Sequence, residues 1–251
     1  MRGVLLIPGF LSDYKDFDAI KNIYMDKYDC FEYVVHPGHE GPNQKSDYYS
    51  FDKKETISNV LLTFDRLRKK CQIVDVIGYS MGGALASMVA SKRHVNKLVL
   101  LAPANKYLNP MVTFESARFF YRGIESYLTD KSDDNAKKIY AEAVRNNIVD
   151  SKIGFKFFSE KYFKPYILKA FIEFREIIKV CNANLSKIDC PTLLLYGKLD
   201  QLVPKKSIDY LSEQINKDCL TVKIYDNYTH LMLNSKNPDV LVNDIEMFLE
   251  V

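Results

Sequence analysis

Short apolar segments recur along the chain, and turn-forming or charged residues separate them. Each segment has the length of a buried strand and is rich in Val, Leu and Ile. Apolar and polar positions hardly alternate within them, as expected for parallel strands that are covered on both faces. The predicted strands run from Gly3 to Pro8, Phe31 to Val35, Ile73 to Ile77, Leu98 to Leu101, Thr192 to Tyr196 and Leu220 to Tyr225.

Helical spacing separates several of these strands. Between the second and third strands, and again near the carboxyl terminus, apolar residues mark one face of a helix. The two faces comprise Ile57, Val60, Leu61, Phe64 and Leu67, and then Val240, Leu241, Ile245, Phe248 and Leu249. Strands that alternate with helices predict an α/β fold with a doubly wound, mostly parallel sheet and right-handed crossovers.

The segment from Asn105 to Lys187 breaks this alternation, because it contains no convincing strand. It holds 15 of the 32 aromatic residues, nearly half of them in a third of the length. We therefore expect a core of residues 1–104 and 188–251 that carries residues 105–187 as a helical cap. Ordinary bundle helices are the alternative. The last part of the segment has helical spacing at Ile167, Phe171, Phe174, Ile178 and Cys181.

Composition narrows the class of protein. The 251 residues are 47% hydrophobic and 27% charged, which excludes a disordered chain, a collagen-like repeat and a small disulfide scaffold. The net charge is +3 with both signs mixed along the chain, so we expect no nucleic-acid partner. No apolar run approaches the length of a membrane-spanning helix, and the sequence does not indicate an oligomeric state.

The five cysteines are odd in number and form no CxxC pair. Free thiols in a reducing compartment are the simplest interpretation, and a Cys181–Cys190 bridge is the alternative. The apolar run from Val4 to Ile7 is too short for the core of a signal peptide. We therefore expect a cytoplasmic protein.

The most informative segment is Gly-Tyr-Ser-Met-Gly-Gly at residues 78–83, directly after a predicted strand and before a run of small residues. A strand, a GxSxG turn and a helix together form a nucleophile elbow, in which the two glycines permit a tight turn and the serine hydroxyl projects. Ser80 is therefore the candidate nucleophile. A phosphate-binding turn is the alternative, but neither GxGxxG nor GxxxxGK[ST] is present.

A serine hydroxyl needs a base at neutral pH, and in this architecture the base follows the nucleophile along the chain. His94 lies at the far end of the helix that begins after Ser80, roughly 15–20 Å away. His230 follows the last predicted strand, where a loop can return over Ser80, and elimination favours it as the base. His36 and His39 precede Ser80, and we expect them to be structural.

The carboxylate that orients this base is expected at the carboxyl end of another strand. Asp200 comes directly after the apolar strand that ends at Tyr196, whereas the segment after Leu101 offers no acid. Asp226 is nearer to His230 in sequence, but a role in a turn suits it better. The order Ser80, Asp200, His230 matches the chain order of an α/β-hydrolase triad.

An oxyanion hole needs two backbone N–H groups. Met81, at the start of the helix after the nucleophile, is expected to supply one. Phe10 is the natural second source, because Pro8-Gly9 ends the first strand and Gly9 permits close approach. An ordinary turn at the end of a strand is the alternative for this segment.

Four segments together resemble the α/β-hydrolase superfamily, especially small bacterial carboxylesterases and monoacylglycerol lipases. They are Leu6 to Phe10, Gly78 to Gly82, Tyr196 to Asp200, and Thr229-His230. The turn at residues 36–41 is also similar to the Gly-His-Gly turn of those enzymes. The resemblance implies an α/β-hydrolase fold, with Ser80 as nucleophile, Asp200 as acid and His230 as base, and with Phe10 and Met81 in the oxyanion hole.

The chain departs from the family pattern at two places. Pro8-Gly9 stands where the family usually has His-Gly, but the backbone role belongs to the residue after the glycine. Few residues precede the first strand, so we expect the antiparallel strands that begin fuller members to be missing. The expected sheet therefore has six parallel strands in the spatial order 2-1-3-4-5-6.

The resemblance implies a serine carboxylesterase that forms an acyl-enzyme. An aromatic-rich cap favours lipophilic esters of short or medium chain as the small-molecule substrate. No HExxH or Cys–His cluster is present, so no metal or cofactor is expected. An acyltransferase, thioesterase or lyase of the same fold is the alternative activity, and a ligand receptor that has lost turnover is the non-enzyme alternative.

Overall fold

The computed structural model describes residues 1–10, 12–39, 48–106, 167–200, 202–235 and 237–250. Its strands form one sheet in which every neighbouring pair is parallel. The spatial order is β2-β1-β3-β4-β5-β6, so the predicted fold class and strand order are confirmed. The strands are β1 (Arg2–Ile7), β2 (Cys30–Tyr33), β3 (Ile73–Tyr79), β4 (Leu98–Leu101), β5 (Thr192–Gly197) and β6 (Leu220–Tyr225).

Helices connect the strands within the described part of the chain. They are α1 (Lys21–Asp26), α2 (Lys53–Lys70), α3 (Met81–Lys92), α4 (Ile167–Cys181), α5 (Lys205–Gln214) and α6 (Asp239–Leu249). Short 3₁₀ turns lie at Tyr14–Ile20, Tyr48–Ser50, Leu185–Lys187 and Met232–Asn234. None of the helices in these ranges is long and apolar enough to cross a membrane.

The sheet separates two apolar layers, which is why its central strands lack an alternating sequence pattern. Successive side chains of a strand point to opposite faces. Val74 and Val76 of β3 thus join the layer that holds α2, α3, α4 and α5, whereas Ile77 and Tyr79 join the layer of α1 and α6. Because both faces are covered, apolar residues are favoured at consecutive positions.

Four of the six strands have ends that differ from the predicted ones. β1 begins and ends one residue earlier than predicted, and β5 ends one residue later, at Gly197. The other two strands show why. β3 continues two residues beyond Ile77, because Gly78 and Tyr79 pair with Leu100 and Leu101 of β4. β2 begins at Cys30 and ends at Tyr33, although the apolar pattern continues to Val35. Apolar runs predict burial, whereas strand ends depend on which backbone groups find partners.

The described end of the predicted cap packs on the core. α4 contacts α2 and α3, and its side chains Phe174, Ile178 and Cys181 are buried. Directly after the end of α4, the Asn182 side-chain oxygen accepts a hydrogen bond from the Asn105 amide at 2.9 Å. Residues 107–166 of the predicted cap lie outside the described residues, so the division into core and cap stays a prediction.

Candidate active site

The chain turns sharply at Ser80, between β3 and α3. Ser80 has φ 55° and ψ −118°, a region that residues with a Cβ rarely adopt. Its N–H donates to the Leu101 carbonyl at 2.8 Å, and its own carbonyl accepts from the N–H of Gly83 at 2.9 Å and of Ala104 at 3.0 Å. These bonds on both sides of the residue hold the turn in place.

Two glycines make this turn sterically feasible. A Cβ at Gly82 would lie 1.9 Å from the Ile7 carbonyl oxygen, and one at Gly78 would lie 2.3 Å from the Gly82 oxygen. Both distances are far below van der Waals contact with backbone atoms, which cannot swing away as a side chain does. The GxSxG spacing is therefore required by the close approach of α3 to the ends of β1 and β3.

The structure brings together Ser80, His230 and Asp200, which the sequence analysis predicted as nucleophile, base and acid. The His230 Nε2 atom lies 3.0 Å from Ser80 Oγ, and its Nδ1 atom lies 2.8 Å from Asp200 Oδ2. The Asp200 side chain is fully buried, and that of His230 is 11% exposed. With Nδ1–H donated to the carboxylate, the Nε2 lone pair faces the Ser80 hydroxyl.

Backbone contacts hold Asp200 and the loop that carries His230. The second carboxylate oxygen of Asp200 accepts from the N–H of Leu202 and of Val203, both at 2.9 Å. A Cβ at Gly197 would lie 2.1 Å from the Tyr228 carbonyl oxygen, so the loops after β5 and β6 touch along their backbones. The carboxylate and the imidazole are thus supplied by two adjacent loops.

The candidate oxyanion groups lie on either side of Ser80. A Cβ at Gly9 would lie 3.3 Å from the Cβ of Ser80, which places the turn before Phe10 against the nucleophile. Met81 is the first residue of α3, where a backbone N–H has no acceptor within the helix. The Phe10 ring is packed 5.4 Å from Phe51 and 5.2 Å from Phe174 between centroids.

His36 contacts the turn before Phe10, and the sequence did not predict this contact. It is almost fully buried, and its Nε2 atom lies 3.0 Å from the Pro8 carbonyl oxygen, to which it donates. Among the described residues, its buried Nδ1 atom has no hydrogen-bond partner. Burial lowers the pKa of His36 to about 4, so the ring is neutral at physiological pH. The order of the strands was the available signal, because it places the end of β2 beside the end of β1.

His94 and Asp226, which the sequence analysis rejected as base and acid, lie outside the candidate site. His94 is exposed and follows the end of α3. Asp226 is exposed and pairs with Lys198 at the surface, instead of approaching His230.

None of the five cysteines forms a disulfide. Across the described ranges, no group of three or more His, Cys, Asp or Glu side chains is arranged to hold a metal ion.

Known proteins resemble this chain in sequence and in fold. The protein named uncharacterized hydrolase YugF of Bacillus subtilis is 23% identical, over 98% of this chain and 89% of its own. Monoacylglycerol lipase abhd6-B of Xenopus laevis is 25% identical, over 90% of this chain and 69% of its own. A soluble variant of monoglyceride lipase from Saccharomyces cerevisiae has the same fold, with a TM-score of 0.70 at 16% identity, over 99% of this chain and 85% of that one.

A family model assigns the chain more directly than any single relative does. The model described as serine aminopeptidase, S33, matches residues 36–237, which is about four fifths of the chain. The matched range includes the turn at Ser80 and both loops that face it. The predicted α/β-hydrolase resemblance is thus confirmed, and this chain is a hydrolase of the α/β-hydrolase superfamily that belongs to the serine aminopeptidase S33 family.

Proposed function

We propose that this protein hydrolyses carboxylic esters through a triad of Ser80, His230 and Asp200. One observation carries the proposal: a continuous hydrogen-bonded chain joins the three side chains, at 3.0 Å and 2.8 Å, across 150 residues of sequence. A hydroxyl, an imidazole and a buried carboxylate in this order form the arrangement that turns a serine into a nucleophile.

The first half of the reaction forms an acyl-enzyme. His230 Nε2 takes the proton as Ser80 Oγ attacks the ester carbonyl, and Asp200 stabilises the imidazolium that results. The developing oxyanion accepts hydrogen bonds from the backbone N–H groups of Phe10 and Met81. When the tetrahedral intermediate collapses, His230 returns the proton to the departing alcohol.

The second half releases the acid. A water molecule gives its proton to His230 and attacks the acyl carbonyl, and the same oxyanion groups stabilise the second tetrahedral intermediate. Collapse of that intermediate returns the proton to Ser80 and restores the free enzyme. Every proton moves between substrate, water and these side chains, so the cycle closes without a further reactant.

The substrates that we propose are lipophilic esters of short or medium chain. The ring of Phe10 packs against Phe51 and Phe174, so apolar side chains adjoin the candidate oxyanion turn. Apolar walls with a few convergent polar groups favour lipophilic ligands. Two of the proteins that this chain resembles are named for the hydrolysis of monoacylglycerol or monoglyceride.

A fluorophosphonate probe and a series of p-nitrophenyl esters from acetate to laurate test the proposal. The wild-type protein should be labelled on Ser80 and should turn over the shorter esters fastest. Ser80→Ala should abolish labelling and lower kcat/KM by about 10⁴-fold or more, because the nucleophile is removed. Ser91→Ala is the matched control, since Ser91 lies at the other end of α3 and bonds to the Met88 carbonyl.

The same assay, extended with an added alcohol and with thioester substrates, separates the other activities. A folded wild-type protein that binds esters without labelling or turnover would be a receptor, and the proposed function would be wrong. Products that contain an added alcohol in place of water would identify an acyltransferase. A preference for thioesters over oxygen esters would identify a thioesterase, and fragments formed without uptake of water would identify a lyase.

A further inference from the structure

Tyr79 immediately precedes the candidate nucleophile and points to the face of the sheet that carries the loop after β6. Its side chain is 1% exposed. The phenol donates a hydrogen bond of 2.6 Å to the backbone carbonyl of His230, a residue 151 positions further along the chain. The ring of Tyr79 also lies 5.9 Å from the imidazole of His230, between centroids.

The carbonyl that accepts this hydrogen bond also takes part in the turn that follows the histidine. The His230 carbonyl oxygen accepts the N–H of Met232 at 2.9 Å, and Met232 begins the 3₁₀ turn Met232–Asn234. The phenol of Tyr79 therefore bonds to the backbone group from which this turn starts.

The phenol remains a donor throughout the working range of pH. Burial, and then the negative charges of Asp16 and Asp200, raise the pKa of Tyr79 well above its ordinary value. The nearby backbone of Met232 and Leu233 opposes this rise only in part. The link between the phenol and the His230 carbonyl is thus not subject to titration near neutrality.

We propose that Tyr79 is a positioning residue, which fixes the backbone of His230 relative to Ser80. The inference rests on the proposed function, because it concerns the base of that reaction. Of the atoms of His230, Asp200 bonds only to the imidazole, so it restrains the direction of the ring. Tyr79 bonds to the main chain that carries the ring, and its own main chain continues directly into Ser80.

Loss of the phenol oxygen should therefore act on the distance between base and nucleophile. In Tyr79→Phe the ring still fills its space, but the His230 carbonyl loses the phenol and keeps only the N–H of Met232. The loop from His230 to Leu233 is then free to shift by a fraction of an ångström. A misplacement of about 1 Å is enough to lower a rate by about 100-fold, whereas contacts that bind the substrate are unchanged.

The experiment compares steady-state hydrolysis of a short p-nitrophenyl ester by the wild-type protein, Tyr79→Phe and Tyr28→Phe. Tyr28 is the matched control, because its buried phenol also donates a hydrogen bond, of 2.7 Å, to Asp75 at the other end of the sheet. Rates are divided by the number of sites that a fluorophosphonate titrates to completion, so partial unfolding does not imitate the effect. Thermal unfolding of all three proteins is measured in parallel.

We expect kcat per titrated site to fall about 10- to 100-fold in Tyr79→Phe, with KM within twofold of the wild-type value and the labelling rate reduced in proportion. Tyr28→Phe should keep its kcat even if it unfolds at a lower temperature. Equal kcat in Tyr79→Phe and wild type, an effect on KM alone, or the same loss of kcat in both variants would overturn the role of Tyr79. A wild-type protein without labelling or turnover would instead overturn the proposed function.

Discussion

At the scale of single residues, the candidate nucleophile Ser80 has a strained backbone conformation. A positive φ in a residue with a Cβ costs about 1–3 kcal/mol, and it persists only where the surroundings determine the conformation. Here the carbonyl of Leu101 and the N–H groups of Gly83 and Ala104 bond to both sides of the residue. The strain is local, and the ends of two strands and the start of a helix oppose its release.

His36 should make the stability of the protein depend on pH. Burial lowers the pKa of this side chain from 6.5 to about 4, so the native state keeps it neutral where the unfolded chain binds a proton. Its contribution to stability is therefore full above pH 6.5 and is lost as the pH falls towards 4. The loss is about 3 kcal/mol over that range.

Urea unfolding at pH 7.5, 5.5 and 4.5 measures this effect. His36→Gln cannot take up a proton at this position. Between pH 7.5 and 4.5 its free energy of unfolding should therefore fall by about 2.5 kcal/mol less than that of the wild type. His94→Gln is the control, because it removes an exposed histidine. Identical pH dependence of wild type and His36→Gln would contradict the assignment of a buried, neutral ring.

The sequence predicted the residues of the candidate site that have a local signature or few competitors. Ser80 lies in the GxSxG motif, whose two glycines are needed for steric reasons, and His230 was one of only four histidines. Tyr79 and His36 form hydrogen bonds with partners 151 and 28 residues away. No local pattern encodes such pairs, so only the folded chain reveals that Tyr79 contacts the candidate site and that His36, which was expected to be structural, does so too.

At the scale of elements, the side chain of Asp52 caps the start of α2. The carboxylate of Asp52 accepts the N–H of Glu55 at 2.9 Å, which satisfies a donor that has no partner within the helix. Asp52→Ala should lower the free energy of unfolding by about 1 kcal/mol, with activity per titrated site unchanged. Urea unfolding and ester hydrolysis measure the two quantities.

Asp52→Asn is the matched control, because its side-chain oxygen can still accept the Glu55 N–H. It should unfold within a few tenths of a kcal/mol of the wild type. If the asparagine and alanine variants were destabilised equally, the carboxylate would act through its charge or through another contact, and the capping role would be wrong.

Elements were predicted more reliably than their ends. β4 and β6 begin and end where the apolar pattern does, because charged or turn-forming residues bound them. β3 extends to Tyr79 because its last residues find partners on β4, a strand whose position the local pattern does not encode. The strand order followed from the family resemblance and from the crossover rule, which constrains the whole sheet at once.

At the scale of the whole molecule, the two ends of the sheet carry different groups of polar residues. The candidate site lies at the carboxyl ends of the strands, as ligand sites in such sheets do. The amino end carries a polar cluster around the buried carboxylate of Asp75. That carboxylate accepts hydrogen bonds from Arg2 at 2.9 Å, Tyr28 at 2.7 Å and Asn96 at 2.7 Å, and Arg2 also donates to the Leu249 carbonyl at the end of α6.

Asp75→Ala should therefore reduce stability without reducing catalysis. It leaves Arg2 and two other donors without their shared acceptor, which costs about 3 kcal/mol or more in urea unfolding. Five residues of extended chain separate Asp75 from Ser80, a distance of roughly 16 Å, so kcat/KM per titrated site should match the wild type. Arg66→Ala, which breaks an exposed ion pair with Glu32, is the control and should cost under about 1 kcal/mol. A parallel loss of kcat/KM in Asp75→Ala would show that the two ends of the sheet are coupled, contrary to this division.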